Sequence, residues 1–321
     1  VKYKLRMAVK KKPEPQPRPP RYPEGIRPVP INSRNVEFVL RGYLDKNEPK
    51  IQRALRKMWN TQREMMTVKE MEKIMQYSWV PIEWVQQWTN DYTKLVNEVM
   101  APAWRDAMEN AVEYMNGEIE KYARKQFENT HIGQLIEDWI REHGGELIVQ
   151  LTQAQHDAIR EVLRIYILEH PLSPYDLAKV IKPLIGLTTS EARAVARYRE
   201  SLIRENMSQN VIDKLTQDYA DLLLKKRALR IARTELSYAY NRGQLEAVRE
   251  AKANGFFRGE IIKTWLTAHD ERTCEFCQSL DGEVVGLEET YPGGTKREEE
   301  ILTPPAHPNC RCTLIYEVVE Y

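Results

Sequence analysis

The chain has 321 residues, of which 42% are hydrophobic and 30% charged, and its 48 Lys and Arg nearly cancel its 47 Asp and Glu to leave a net charge of +1. That apolar share supports a buried core and excludes wholesale disorder, and the balanced charge excludes a globally basic nucleic-acid coat. No apolar run is long enough to cross a bilayer, and the basic N-terminus is not followed by an apolar block, so no membrane partner is expected and the chain is expected to reside in a cytoplasm.

The first stretch, "VKYKLRMAVKKKPEPQPRPPRYPEGIRPVPINSR", sets ten Lys and Arg against Glu14 and Glu24 and carries eight of the 18 prolines. Proline removes backbone donors and favours extended conformations, so residues 1–34 read as an extended basic arm rather than a folded unit. A solvated tail is the plain reading. The sharper one is an arm whose Lys10, Lys11, Lys12, Arg18 and Arg21 lie along DNA or an acidic partner.

Residues 35–150 form a Trp-rich helical region. Trp84, Trp88, Tyr92 and Leu95 recur at helical spacing, which predicts a buried face, and Pro102 predicts a break or kink. Residues 151–255 read as a second helical domain built of short helices. Thr152 with Gln155 suggests a capping box for a helix whose apolar face is Ile159, Val162, Leu163, Tyr166 and Ile167. Ser173 before Pro174 starts another helix, and Thr188 with Glu191 makes a further capping box. Val211, Ile212, Leu215, Tyr219 and Leu222 then share one face. A long helix follows, ending at Asn254-Gly255 and containing Arg233 and Glu235, which are read as a buried pair that fixes packing.

After Gly255 the period changes. "EIIKTWLTAHD", "GEVVG" and "CTLIYEVVEY" have strand composition, so residues 256–321 are predicted to be a small β-rich module. The fold class is therefore mainly α with a small C-terminal β-rich module, an α+β chain preceded by its arm.

All four cysteines lie in that module. Cys274-x-x-Cys277 has the spacing of a metal knuckle, and His307-Pro-Asn-Cys310-Arg-Cys312 offers three further ligands. Zinc takes four nitrogen or sulfur ligands in a tetrahedron, commonly as two close-spaced pairs from separate turns. The four thiols are read as a structural zinc site, with His307 as a substitute ligand or a support behind the ligands. Reduced thiols packing a small core and a disulfide are the alternatives. Cys310-x-Cys312 is tight for one ion unless Cys310 sits in the turn before the strand.

"TWLTAHDERTCEFCQSLDGEVV" followed by "PPAHPNCRCTLIYEV" resembles the C-terminal signature of the bacteriophage head morphogenesis family, the minor head (minor capsid) proteins named after protein F of phage Mu. The resemblance continues upstream through "GLTTSEARAVARYRESLI" and "KKRALRIARTELSYAYNRGQLEAVREA", and covers the chain from near Leu151 to Tyr321. Residues matching the signature are Arg233, Glu235, Trp265, Asp270, Arg272, Cys274, Cys277, His307, Cys310 and Cys312, read as defining the fold. The resemblance implies a virion component at or near the portal vertex, present in the host cytoplasm during assembly. It implies contact with the portal protein and possible contact with the major capsid or scaffolding protein, and a part in packaging or delivery of DNA. It does not imply an enzyme, and no catalytic residues and no small-molecule substrate are expected. Two alternatives stand beside it: a DNA-binding zinc module, and an NAD-dependent effector enzyme, for which no Gly-rich phosphate loop or nucleophile motif is present.

Overall fold

The computed structural model describes residues 19–22, 25, 27–77, 80–127, 132–168, 173–293 and 301–320. In chain order these form strand β1 (Val29–Pro30), helices α1 (Val36–Met65), α2 (Val68–Tyr77) and α3 (Ile82–Leu95), a π turn (Val96–Met100), and helix α4 (Ala101–Ala123). Helices α5 (Ile132–Leu168), α6 (Pro174–Ile181), α7 (Thr189–Arg204) and α8 (Gln209–Ala253) follow. The chain then enters β2 (Gly259–Leu266), α9 (Glu275–Leu280), β3 (Val284–Gly286) and β4 (Thr313–Glu320). Mainly α with a small sheet is thus the architecture. Among the described residues, no helix is long and apolar enough to cross a membrane.

The helices are longer than the local signals suggest. Thr152 does not start one: α5 runs through it without a break, and its hydroxyl is buried with no partner. The apolar "ELIVQL" before it continues the helical period, and Gly144 is tolerated because a Cβ there would meet Val96 at 3.0 Å. Gln155 is consumed elsewhere, as its Oε1 accepts from the Tyr92 hydroxyl and from the Gly186 N–H. Pro102 likewise produces no break. The preceding residues widen into a π turn, and Val96 and Ala101 keep right-handed helical dihedrals. α8 is one 45-residue helix, since no cap, Gly or Pro interrupts "VIDKLTQDYADLLLKK". Its buried positions there are Ile212, Thr216, Ala220 and Leu224, while Val211 and Leu222 are exposed, so the face predicted from Val211 to Leu222 is displaced. Three signals hold. Ser173 caps α6, Thr188 and Glu191 form a reciprocal capping box on α7, and Gly255 ends α8 at φ +71°. There the Phe256 and Gly255 N–H groups return to the Ala251 and Lys252 carbonyls.

The chain forms two compact units, and neither is a consecutive stretch. The first gathers residues 1–44, 107–132 and 237–321; the second gathers 45–106 and 133–236. Helices α1, α4 and α8, and α5 by its first residue, therefore give residues to both.

In the first unit the sheet order is β1-β4-β2-β3, antiparallel throughout. Ile261, Trp265, Leu314, Tyr316 and Val318 alternate along β2 and β4 and join Val112, Met115 and Ile119 of α4 and Leu245 and Val248 of α8 in one buried cluster. Leu266 and Ile315 face the other way and pack on Val36 at the start of α1. β1 belongs to the segment read as an arm. Its residues pair with Val318 and Glu317, and Asn32 then bonds across β4 to the Leu314 carbonyl and the Tyr316 N–H. The Ile31 N–H also bonds the Tyr316 carbonyl, and Ile31 and Asn32 are buried, so residues 29–32 run along the β4 edge.

Lys263 of β2 lies on the buried face. Its ammonium donates to the Leu287 carbonyl at 2.9 Å and the Leu302 carbonyl at 2.8 Å. Burial lowers its pKa from the usual 10.5 to about 8. Between these values the unfolded chain holds a proton that the folded chain has released, so this residue's contribution to stability grows as pH rises through that window and is lost as pH falls towards 8. Lys263→Met should leave two buried carbonyls unpaired and cost about 1–3 kcal/mol near neutral pH. Denaturant titrations from pH 7 to pH 10 should show wild type gaining on the variant by up to about 3 kcal/mol. A pH-independent gap would contradict this.

In the second unit, Trp88, Tyr92 and Leu95 are buried as their spacing predicted, and Trp84 is half-buried with its indole N–H on Glu70. The core also holds a polar chain. The Trp59 indole donates to the Tyr92 hydroxyl, which donates to Gln155, whose amide donates to Gln62.

Candidate metal centre

The first two thiols are presented by the short helix α9. After β2 the chain turns at Asp270, whose Oδ1 accepts the Arg272 N–H at 3.0 Å and whose carbonyl accepts the Thr273 N–H. Cys274 then occupies the N-cap, in extended backbone conformation, with Sγ accepting from the Cys277 N–H at 3.4 Å. A cysteine is thus doing at this helix start what a serine or aspartate ordinarily does. The three-residue step to Cys277 puts both sulfurs on the same side of the first turn.

The second loop brings His307, Cys310 and Cys312. Asn309 adopts φ +73°, and the Cys310 N–H closes a turn on the His307 carbonyl. Cys310 and Cys312 both precede β4, which begins at Thr313. The spacing that would be tight on a regular strand is therefore made by a turn.

These groups converge. The His307 Nε2 lies 2.9 Å from Cys277 Sγ and 3.1 Å from Cys274 Sγ, and Cys277 Sγ lies 3.8 Å from Cys310 Sγ. Two triads result, Cys274–Cys277–His307 and Cys277–Cys310–Cys312, with donor atoms inside each within 4.8 Å of one another. Cys277 belongs to both. The donors border a cavity of about 20 Å³, the volume of a single ion or water. Zinc–sulfur bonds of about 2.3 Å in a tetrahedron place sulfurs about 3.8 Å apart, which matches the Cys277–Cys310 separation. On the far side of the ring, His307 Nδ1 is 2.9 Å from the Pro308 carbonyl and donates to it, leaving Nε2 as a lone pair facing the thiols. The residues present could hold a metal ion.

The protonation pattern of the thiols points the same way. Hydrogen bonds from Cys277 and then Cys312 hold the Cys310 thiol well below the usual range. The bond to Cys310 pushes Cys277 up, and burial pushes Cys312 up. The three sulfurs are thus close enough to hydrogen-bond with one another, and a bound cation would displace the protons they hold.

Supports around the cluster come from residues that spacing alone did not single out. Arg311, between the last two cysteines, lies 2.6 Å from Asp270 Oδ2 and so ties the second loop to the first. Asn241 of α8 donates to the Cys312 carbonyl, and Thr313 donates to Gln244. Asp281 accepts from the Thr267 N–H and hydroxyl and pairs with His269, which stands at φ +44°. A charged residue between two clustered cysteines and an asparagine two turns after the Arg-Thr-Glu were the available signals.

The remaining signature residues are placed as follows. Trp265 is buried against Tyr291, with ring centroids 5.0 Å apart. Arg272 is exposed at the mouth of the cavity. In the second unit Arg233 and Glu235 do not pair with each other. Arg233 grips Glu48 of α1 through two bonds of 2.7 and 2.9 Å, and Glu235 lies 2.6 Å from His143 Nε2 of α5. Two residues apart on a helix, they point about 160° away from each other, so each has its own partner. Of the arm residues, Arg21 lies 2.8 Å from Glu283 and its N–H bonds the Gly282 carbonyl. Lys10, Lys11, Lys12 and Arg18 lie outside the described residues.

One protein-family model, described as Phage Mu protein F like protein, matches residues 196–315, from within α7 into β4. The matched segment includes every cysteine and His307. No curated protein and no solved structure gives a significant match.

Proposed function

From the match of residues 196–315 to the Phage Mu protein F like family, we propose that this chain is a bacteriophage minor head protein acting at or near the portal vertex. The observation that carries the reading is the match itself, which spans both α8 and the whole cysteine cluster. In this reading the centre holds a structural zinc. The donor set supports that role, because sulfur and imidazole fill the positions around the cavity. Asp270, the one carboxylate bordering it, is engaged by Arg311 and the Arg272 N–H. A catalytic zinc keeps a place open for water and a free carboxylate beside it. The partners proposed are the portal protein and, through the basic segment Lys10–Arg18, DNA or a neighbouring subunit.

Co-expression with the portal protein of the same phage should give a complex that survives size-exclusion chromatography. Mass spectrometry of purified virions should find the chain in fewer copies than the major capsid protein. Absence from virions would overturn the reading, and presence without portal binding would move the site of action away from that vertex.

A further inference from the structure

The part of α1 within the second unit has two unlike sides. Leu44, Glu48, Ile51, Leu55 and Trp59 are buried, whereas Lys46, Lys50, Arg53 and Lys57 are exposed. At 100° per residue, those four cations fall within about 60° of one another, along about 16 Å of helix. None has an ion-pair partner among the described residues. Gln52, on the flank towards the buried side, donates to the Lys225 carbonyl of α8. Glu64, seven residues past Lys57 on the same line, ends the run.

A helix face that is merely solvated ordinarily mixes signs, because like charges at i,i+4 destabilise the helix. Several other cations of this unit are matched: Arg193 with Glu161, Arg199 with Asp213, Arg230 with Glu191 and Arg233 with Glu48. What sets the stripe apart is the alignment of four such cations along one helix face. Its chemistry also separates two kinds of partner. Protein interfaces are depleted of lysine and centred on apolar or aromatic side chains, whereas Asn60 and Thr61 are the nearest exposed neighbours after Lys57. A duplex passes about five phosphates per strand in the length of this stripe, each able to take one cation.

We propose that the Lys46–Lys57 face of α1 is a sequence-independent binding surface for the phosphate backbone of double-stranded DNA, separate from the basic N-terminal segment. The proposal does not depend on the portal assignment. It is tested by fluorescence anisotropy of a labelled duplex of about 30 base pairs and arbitrary sequence, titrated with the full chain across a range of salt. Replacing Lys46, Lys50, Arg53 and Lys57 together by Gln should reduce the slope of log affinity against log salt by about 3 to 4 and weaken low-salt binding at least tenfold. Lys10→Gln/Lys11→Gln/Lys12→Gln should leave that component in place. The substituted side chains are exposed, so circular dichroism should match wild type. Should the fourfold variant fail to fold, Lys50→Gln/Arg53→Gln should still lower the slope by about 2. An unchanged slope in the folded variants overturns the proposal. So does unchanged DNA affinity accompanied by lost binding to poly-L-glutamate, which would mark the stripe as a face for an acidic protein.

Discussion

Cys277→Ser should release the metal and melt the first unit. Protein purified without chelator should contain about one zinc per chain by elemental analysis, and this variant should contain none. Cys277 is the sulfur common to both triads, so its loss breaks each of them, whereas Cys274→Ser or Cys312→Ser breaks one. Binding energy of a structural zinc is folding energy, and the expected loss is on the order of 5 kcal/mol or more. A strong chelator should reproduce the effect in wild type. Acidification should as well, since protons compete with the metal for the thiolates and for His307. Folded wild-type protein without metal, with a melting temperature unmoved by Cys277→Ser, would show that the thiols only pack.

Gly243→Leu should prevent the first unit from folding, and Gly243→Ala should already destabilise it. The glycine lies where α8 crosses α4. A Cβ there would stand 2.6 Å from the Met108 carbonyl oxygen, 2.9 Å from its Cα and 3.1 Å from the Ala111 side chain. Two of these atoms are backbone, so no rotamer change relieves the clash and the helices must separate. Separation opens the cluster in which Val112 and Met115 meet Leu245 and Val248. Alanine gains up to about 1 kcal/mol in helix propensity at such a site. Overpacking against backbone costs about 1–3 kcal/mol or more, so the net sign is unfavourable. Gly117 of α4 is the control. A Cβ there meets nothing within 4 Å, and Gly117→Ala should stabilise by about 0.5–1 kcal/mol. Thermal melts of the three variants decide the matter, and a neutral Gly243→Ala would refute the close crossing.

The sequence was most legible where chemistry is local. Ser173, Thr188 with Glu191, and Gly255 each act within four residues of themselves, and each does what its type predicts. The strands β2, β3 and β4 were visible from composition, and the cluster that could hold a metal from the spacing of its cysteines. Failures came where a distant partner decides. Thr152 and Gln155 have the pattern of a cap, but Tyr92 and Gly186 claim Gln155 and the helix runs through. Arg233 and Glu235 look like a pair, yet Glu48 and His143, far away in sequence, take one each. β1 was hidden because two residues carry no period. Only β4, nearly three hundred residues later, gives Val29 and Pro30 a reason to be extended.

That last pairing has a consequence for timing. The first unit takes its pieces from both ends and the middle of the chain, and β4 lies inside the sheet with β1 on one side and β2 on the other. On a ribosome adding roughly 5–20 residues per second, β1 waits on the order of a quarter of a minute to a minute for its neighbour to be made. During that wait the apolar sides of α4 and β2 have no sheet to cover them. A chain stalled before residue 313 would be held with this surface open, and a chaperone or a partner already in place would meet it in that state. The second unit needs nothing beyond residue 236, so it can form first and offer its surfaces while the rest is still being synthesised.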